Sequence, residues 1–472
     1  MSFALAAAGA ALIGAGLVAW AFPHKSSCPA EHWLRAAIAA TLGLGIWSAT
    51  YAASLLLFGP VARGPKDAVL AAAGAALLLA ARGKSGVEPA APPGEKKIIF
   101  FSGEPAPRWL WVAFAVAAGA AVLAFVHDTL RGSDGGYDAF MIWNLRARFL
   151  ARAGAGFRAA FSPQMELWAH QDYPWLVPGL VAQGFLLSGR EPRAVPALFA
   201  GTFAALAVAL PALSLGWARG SRWGLLGAIA LLTTPCFVIF AAHQESDVPL
   251  AAFLAATAAL LLFAAERGNP PRLLLLAGLA AGLGAWTKNE GSLYAACFAM
   301  ALLARSRELR AVGWFAAGFL PFAALVVGFK LGFAPPTDLW KFSTAGSILS
   351  HAGDPLRWGR LLLLTLRRIF FFQDHALWVA AEIAVLIAWV RRLPGSVPGT
   401  ALFLACAAFA PLYVLQPHPL EWLYRYSVER IFIQLWPAAI LATLLPLVRV
   451  AADTPREASS GSWPMERAPR AP

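Results

Sequence analysis

Apolar runs of about 18–25 residues recur from one end of this chain to the other, and they constrain its fold more than any other feature. Hydrocarbon offers backbone groups no water, so only helices or closed barrels cross it. The runs are continuous rather than alternating, which excludes a β-barrel. They predict an all-α, polytopic transmembrane bundle of about 13 spans. The expected spans are Phe3–Phe22, Leu34–Phe58, the short Ala68–Ala81, Trp109–Val126, Ala194–Leu215, Trp223–Ala242, Val248–Ala264 and Leu273–Trp286, then Ser292–Ala304, Ala311–Leu331, Ala376–Val390, Ala401–Leu415 and Ile431–Val448. Charged residues make up only 13% of the chain. About 25% is usual in a soluble protein.

The net charge of +13 invites a nucleic-acid reading. Its distribution argues against one. Lys and Arg collect in short loops, as in Arg82–Arg108, Arg219/Arg222, Arg267/Arg272, Arg305–Arg310 and Arg391/Arg392. That is the pattern of cytoplasmic loops under the positive-inside rule. Cys28, Cys236, Cys297 and Cys406 form no CxxC pair, so neither a zinc site nor a disulfide framework is expected. Met1–Phe22 lacks a basic lead-in, which fits an N-out first helix better than a cleaved signal.

One hydrophilic stretch, His127–Pro178, interrupts this pattern. Asp128, Asp134, Asp138, Glu166 and Asp172 crowd into it beside Arg131, Arg146, Arg148, Arg152 and Arg158. Joining two helices requires nothing so charged, and the stretch is expected to be the active-site loop. Leu176–Ser188 is too short to span, since a crossing needs about 20 residues, and is expected to lie at or re-enter the external interface. With that parity every basic loop falls inside. His127–Arg193, His243–Asp247, Lys288–Gly291, Gly332–His375 and Gln416–Arg430 then share the outer face. Leu356–Phe372, with Arg357, Arg360, Arg367 and Arg368 among leucines, suits an amphipathic helix on the membrane surface. Residues 1–108 are read as added helices plus a cytoplasmic linker, 109–450 as the catalytic module, and 451–472 as a disordered tail.

Five short motifs carry ionisable groups to the outer face. Gly135-Gly136-Tyr137-Asp138 presents a carboxylate at a loop-to-helix junction, where it could equally cap the helix. In His243–Leu250, Glu245 and Asp247 precede Pro249 at a span start, where capping is again the competing role. His170-Gln171-Asp172-Tyr173-Pro174 is the third. Lys288 and Glu290 interrupt apolar helix in the fourth, either snorkelling or facing a polar cavity. Arg425 and Arg430 lie in the fifth, just before the last span; Glu382 lies well inside another.

The order of a first-loop Asp (Asp138), His170/Tyr173/Pro174, SDVPL (Ser246–Leu250) and TKNEG (Thr287–Gly291) resembles the GT-C superfamily of integral-membrane glycosyltransferases. The likeness is to the bacterial branch that includes protein O-mannosyltransferases and lipid A aminoarabinose transferase, and covers about Trp109–Val448. It implies Asp138 and Asp247 as the acidic catalytic residues and Lys288 as the polar Lys of the family. His170, Asp172, Tyr173, Glu245, Lys288, Glu290, Arg425 and Arg430 are expected to bind substrate, with Lys288 and one of Arg425 or Arg430 meeting the donor phosphate from external helix boundaries. Asp172-Tyr173-Pro174-Trp175 departs from an acidic-Lys-Pro-Pro signature of such enzymes by lacking its Lys. The implied donor is a polyprenyl-phosphate sugar, and the implied acceptor a periplasmic glycan, lipid or protein at a bacterial inner membrane. No GxGxxG or Walker A run is present, consistent with a donor taken from the bilayer. No cofactor is assigned, and a divalent metal is left open. A transporter or lipid flippase, or a non-catalytic assembly partner, are the competing readings. The transporter would be marked by pseudo-symmetric repeats and broken helices in matching halves, which the sequence does not show.

Overall fold

The computed structural model describes residues 3–22, 28–59, 63–82, 105–152, 154–165, 169–337, 343–370 and 396–447. Glu166, most of the Arg82–Arg108 linker, the span expected at Ala376–Val390 with its Glu382, and the tail from 451 lie outside them. The described chain is all helical, without a strand among its residues. In order come α1 (Phe3–Ala21), α2 (Pro29–Phe58), α3 (Arg63–Arg82), α4 (Arg108–Arg131) and a π-helical turn, Ala139–Asn144. Next are α5 (Leu145–Arg152), a 3-10 turn (Gly154–Phe161), α6 (Leu176–Ser188), α7 (Ala194–Arg219), α8 (Ser221–Leu232), α9 (Pro235–Ala242) and α10 (Asp247–Glu266). Then follow α11 (Pro271–Thr287), α12 (Glu290–Ser306), α13 (Leu309–Gly332), α14 (Ala345–Ala352), α15 (Pro355–Phe370), α16 (Val397–Leu415) and α17 (Leu420–Leu447).

Among these, α1, α2, α4, α7, α10, α13, α16 and α17 are long and apolar enough to cross a bilayer. A ninth span results if α8 and α9, bent by 66° at the Thr233-Thr234-Pro235 break, count as one. The chain is a multi-pass membrane protein. The expectation of about 13 spans also counted α3, which carries Arg63, Lys66, Asp67 and Arg82, and the 17-residue α11 and α12. These three fall outside that group by composition or length, although α11 runs from the Arg272 end of the bundle to the Lys288 end. Gly9 abuts Asp67 and Gly16 abuts Gly74, so α3 runs parallel beside α1. Gly278 and Gly282 meet Phe315 and Phe322 in the same rising order, so α11 runs parallel beside α13.

Helix α10 is the central post. Every residue from Asp247 to Ala264 is buried, as befits a helix apolar all round. Around it the chain weaves up and down, and this sorts the loops. At one end Glu31 meets Arg267 at 2.9 Å, and Arg272 donates to the Trp20 carbonyl at 3.2 Å. This end gathers the basic loops. At the other end lie Asp138, Asp247, Lys288 and Arg430. One apolar core joins both halves, from Ala6 to Leu445. The N-terminal helices are bound into it by Ser48, whose hydroxyl donates to the Leu176 carbonyl at 2.6 Å.

Helix α6 is short, as expected, but it is no surface element: all residues from Leu176 to Phe185 are buried. The amphipathic segment forms α15, with Leu356, Leu362 and Leu363 exposed. Arg357 turns inward instead and donates to the carbonyls of Val414 and Gln416 at 2.7 Å and of His418 at 2.9 Å.

Candidate active site

Arg430, one-third of the way along α17, is the hub. Its Nε and Nη2 reach Asp247 Oδ2 at 3.1 and 3.0 Å, its Nη1 pairs with Asp138, and Nη2 lies 3.3 Å from Glu245 Oε2. The other Asp247 oxygen accepts from Lys288 Nζ at 2.8 Å and from Gln434 Nε2 at 2.5 Å. Lys288 also lies 3.3 Å from Glu290. Four segments that are remote in sequence thus contribute to one charged cluster. Such charges in an apolar bundle persist only when paired and hydrogen-bonded.

The capping alternatives fail at both aspartates. Neither Asp138 nor Ser246, the residues at the two helix starts, makes a side-chain cap bond; the Asp138 and Asp247 carboxylates turn to Arg430 instead. They differ in access. The Asp138 side chain keeps 25% exposure and that of Asp247 none.

The glycines before Asp138 act through close approach. Gly136 N–H donates to the His243 carbonyl at 2.9 Å. Gly135 has φ +82°, and a Cβ there would sit 2.5 Å from the same carbonyl oxygen. Any L side chain would push the first loop off the His243–Asp247 loop and Asp138 away from Arg430. Asn144 reinforces the junction by donating to Gln244 Oε1 at 2.9 Å and to the Asp134 carbonyl at 3.0 Å. His243 faces Glu245 at 3.7 Å, and attraction to that carboxylate raises the imidazole above its usual pKa of 6.5.

The His170–Tyr173 turn forms the neighbouring wall. Arg146, read from sequence as an ordinary loop charge, is buried beneath it and donates to the carbonyls of Tyr173, Ala169 and His170 at 2.9, 3.2 and 2.7 Å. Burial lowers this guanidinium's pKa to about 10. Tyr173 stacks on Trp143 with centroids 5.5 Å apart, and Lys288 Nζ lies 5.7 Å from its ring centroid. Burial pushes the Tyr173 phenol pKa well above its usual value. His170 packs against Tyr173 at 5.2 Å. Asp172 points away from the hub, accepting from Asn289 at 2.8 Å and pairing with Lys330 of α13 at 3.3 Å.

Of the ten residues expected at the site, Asp138, Glu245, Asp247, Lys288, Glu290 and Arg430 form the cluster, and His170 and Tyr173 flank it. Arg425 does not join them: it is exposed on another face of α17, over the Tyr426 ring. Gln434, Tyr294 and Arg146 were missed. Gln434 carried a readable signal, being one helical turn beyond Arg430 and polar within an apolar span. A divalent ion finds no set of three suitable side chains among the described residues. Asp138, Glu245 and Asp247 do converge, but the Arg430 guanidinium occupies their meeting point.

Residues 174–329, about a third of the chain, match the family of dolichyl-phosphate-mannose-protein mannosyltransferases. Over that span the chain is similar to a family of GT-C-type membrane glycosyltransferases. The matched span holds Glu245, Asp247, Lys288 and Glu290, while Asp138 and Arg430, on either side of it, are joined to it by the ion pairs above. No curated protein and no solved structure matches the chain. That similarity supports a membrane glycosyltransferase that draws sugar from a lipid-linked donor.

Proposed function

We propose that the chain transfers a sugar from a polyprenyl-phosphate carrier to a hydroxyl of a glycan, lipid or protein on the periplasmic face of a bacterial inner membrane. The supporting observation is the shared guanidinium: Arg430 holds Asp138 with one nitrogen and Asp247 with two others. Asp247, saturated and inaccessible, anchors Arg430 and Lys288. Those two cations meet the donor phosphate and stabilise its charge as it leaves. Phosphate competes for Arg430 Nη1 and so frees Asp138. The acceptor oxygen attacks the anomeric carbon, the bond from that carbon to the phosphate oxygen breaks with its electron pair on phosphate, and Asp138 takes the acceptor's proton. Tyr173, its ring 5.7 Å from Lys288 Nζ, and His170 beside it flank these cations.

Asp138→Asn tests this in purified protein. It keeps size and removes the base, and no cap bond is at stake. Turnover should fall by about 10²–10⁴-fold with an unchanged melting temperature. Near-wild-type transfer of label from a polyprenyl-phosphate hexose would overturn the assignment.

A further inference from the structure

Beneath the charged cluster, inside the bundle, two neutral side chains continue it. Gln434 on α17 and Tyr294 on α12 are both fully buried. Gln434 Nε2 donates to Asp247 Oδ1 at 2.5 Å, and the Tyr294 hydroxyl donates to Gln434 Oε1 at 2.7 Å. Chemistry fixes the direction of this chain. A carboxylate only accepts, so the amide must turn its nitrogen to Asp247; its carbonyl then faces Tyr294, whose hydroxyl must donate. Were the amide reversed, its oxygen would oppose the carboxylate. The carboxylate thus sets the amide's orientation, and the Tyr294 hydroxyl, donating to the amide oxygen, holds it there.

The consequence reaches Arg430. Asp247 can rotate about its last side-chain bond, and what stops it is that Oδ1 is held by Lys288 and Gln434 while Oδ2 is held by Arg430. Gln434 sits one turn below Arg430, so a single helix face fills both carboxylate oxygens. Loosening Oδ1 loosens the seat of the guanidinium.

We propose that Tyr294 and Gln434 are positioning residues that orient Asp247, and through it Arg430 and Lys288, toward the donor phosphate. The proposal rests on the donor reading above. It predicts a selective defect: weaker handling of the lipid donor with the acceptor KM unaltered, because neither residue approaches the Asp138 side of the cluster.

The test measures binding of a polyprenyl phosphate without sugar to the purified full chain in nanodiscs, and the KM values of donor and acceptor. Tyr294→Phe removes one hydroxyl and Gln434→Met removes the amide. Each should weaken lipid-phosphate binding by about 2- to 10-fold, the worth of one hydrogen bond. In a Gln434→Met background, Tyr294→Phe should add nothing, since it acts only through the amide. Wild-type binding in both single variants would overturn the inference, as would an additive double variant or a matching rise in acceptor KM. A wild-type chain that binds no polyprenyl phosphate would instead overturn the donor reading, and this inference with it.

Discussion

Both ends of the bundle bury carboxylates against arginines, yet they are built to opposite balances. At the end that gathers the basic loops, Glu31 lies between Arg35 at 2.6 Å and Arg267 at 2.9 Å. Those guanidiniums pack over the rings of Phe22 at 4.5 Å and Phe263 at 4.9 Å. Here one anion has two cations. At the other end Arg430 serves Asp138, Glu245 and Asp247, and Lys288 serves Asp247 and Glu290. Four anions share two cations. The first arrangement is a latch, complete as it stands. In the second Arg430 is divided among three carboxylates, so Asp138 can be released when a new anion claims Arg430. Burial of charge by itself does not mark an active site; shared, exchangeable pairing does.

The comparison breaks most visibly if Arg430 proves dispensable. Arg430→Gln should raise the donor KM by about 10- to 150-fold, the worth of a charge-assisted phosphate contact. Arg267→Gln, at the opposite end, should leave that KM alone. Equal donor KM values in the two variants would erase the distinction between the ends.

Stability should respond in the reverse sense. Glu31→Gln leaves two guanidiniums without their carboxylate and should cost about 1–3 kcal/mol in unfolding, discounted because Arg267 is partly exposed. Its turnover should match wild type. A turnover defect exceeding a few-fold would mean that the latch reports to the site.

A smaller effect concerns pH. His243 is raised above 6.5 by Glu245. A raised imidazole contributes stability that is fully present below 6.5 and lost as pH rises through its higher folded value. The melting temperature of the wild type should therefore decline more steeply than that of His243→Gln as pH rises through neutrality. Parallel curves would show that the pair contributes nothing.

Much of this was legible in the chain. Long apolar runs define the helices, and the charge parity of the loops alone places Asp138, Asp247, Lys288 and Arg430 at one end. What escaped was whatever depends on which helix face turns inward. Arg425 and Arg430 read alike, but five positions on a helix separate their faces, and only Arg430 points at α10. Arg146 looked like one loop charge among several and proved to be buried under the His170–Tyr173 turn. Lys330, near the end of an expected span, holds Asp172. Side-chain partners over a hundred residues apart leave no local trace.

The difference between the ends matters for function only if they face opposite sides of the membrane, with the Arg430 cluster outside. Single cysteines in a cysteine-free background decide this. Tyr137→Cys, exposed beside Asp138, should react with a membrane-impermeant thiol reagent applied to intact spheroplasts. Glu308→Cys, exposed between α12 and α13, should react only after permeabilisation. Labelling of Glu308→Cys from outside, with Tyr137→Cys protected, would put the cluster on the cytoplasmic face and contradict the assignment of a periplasmic active site.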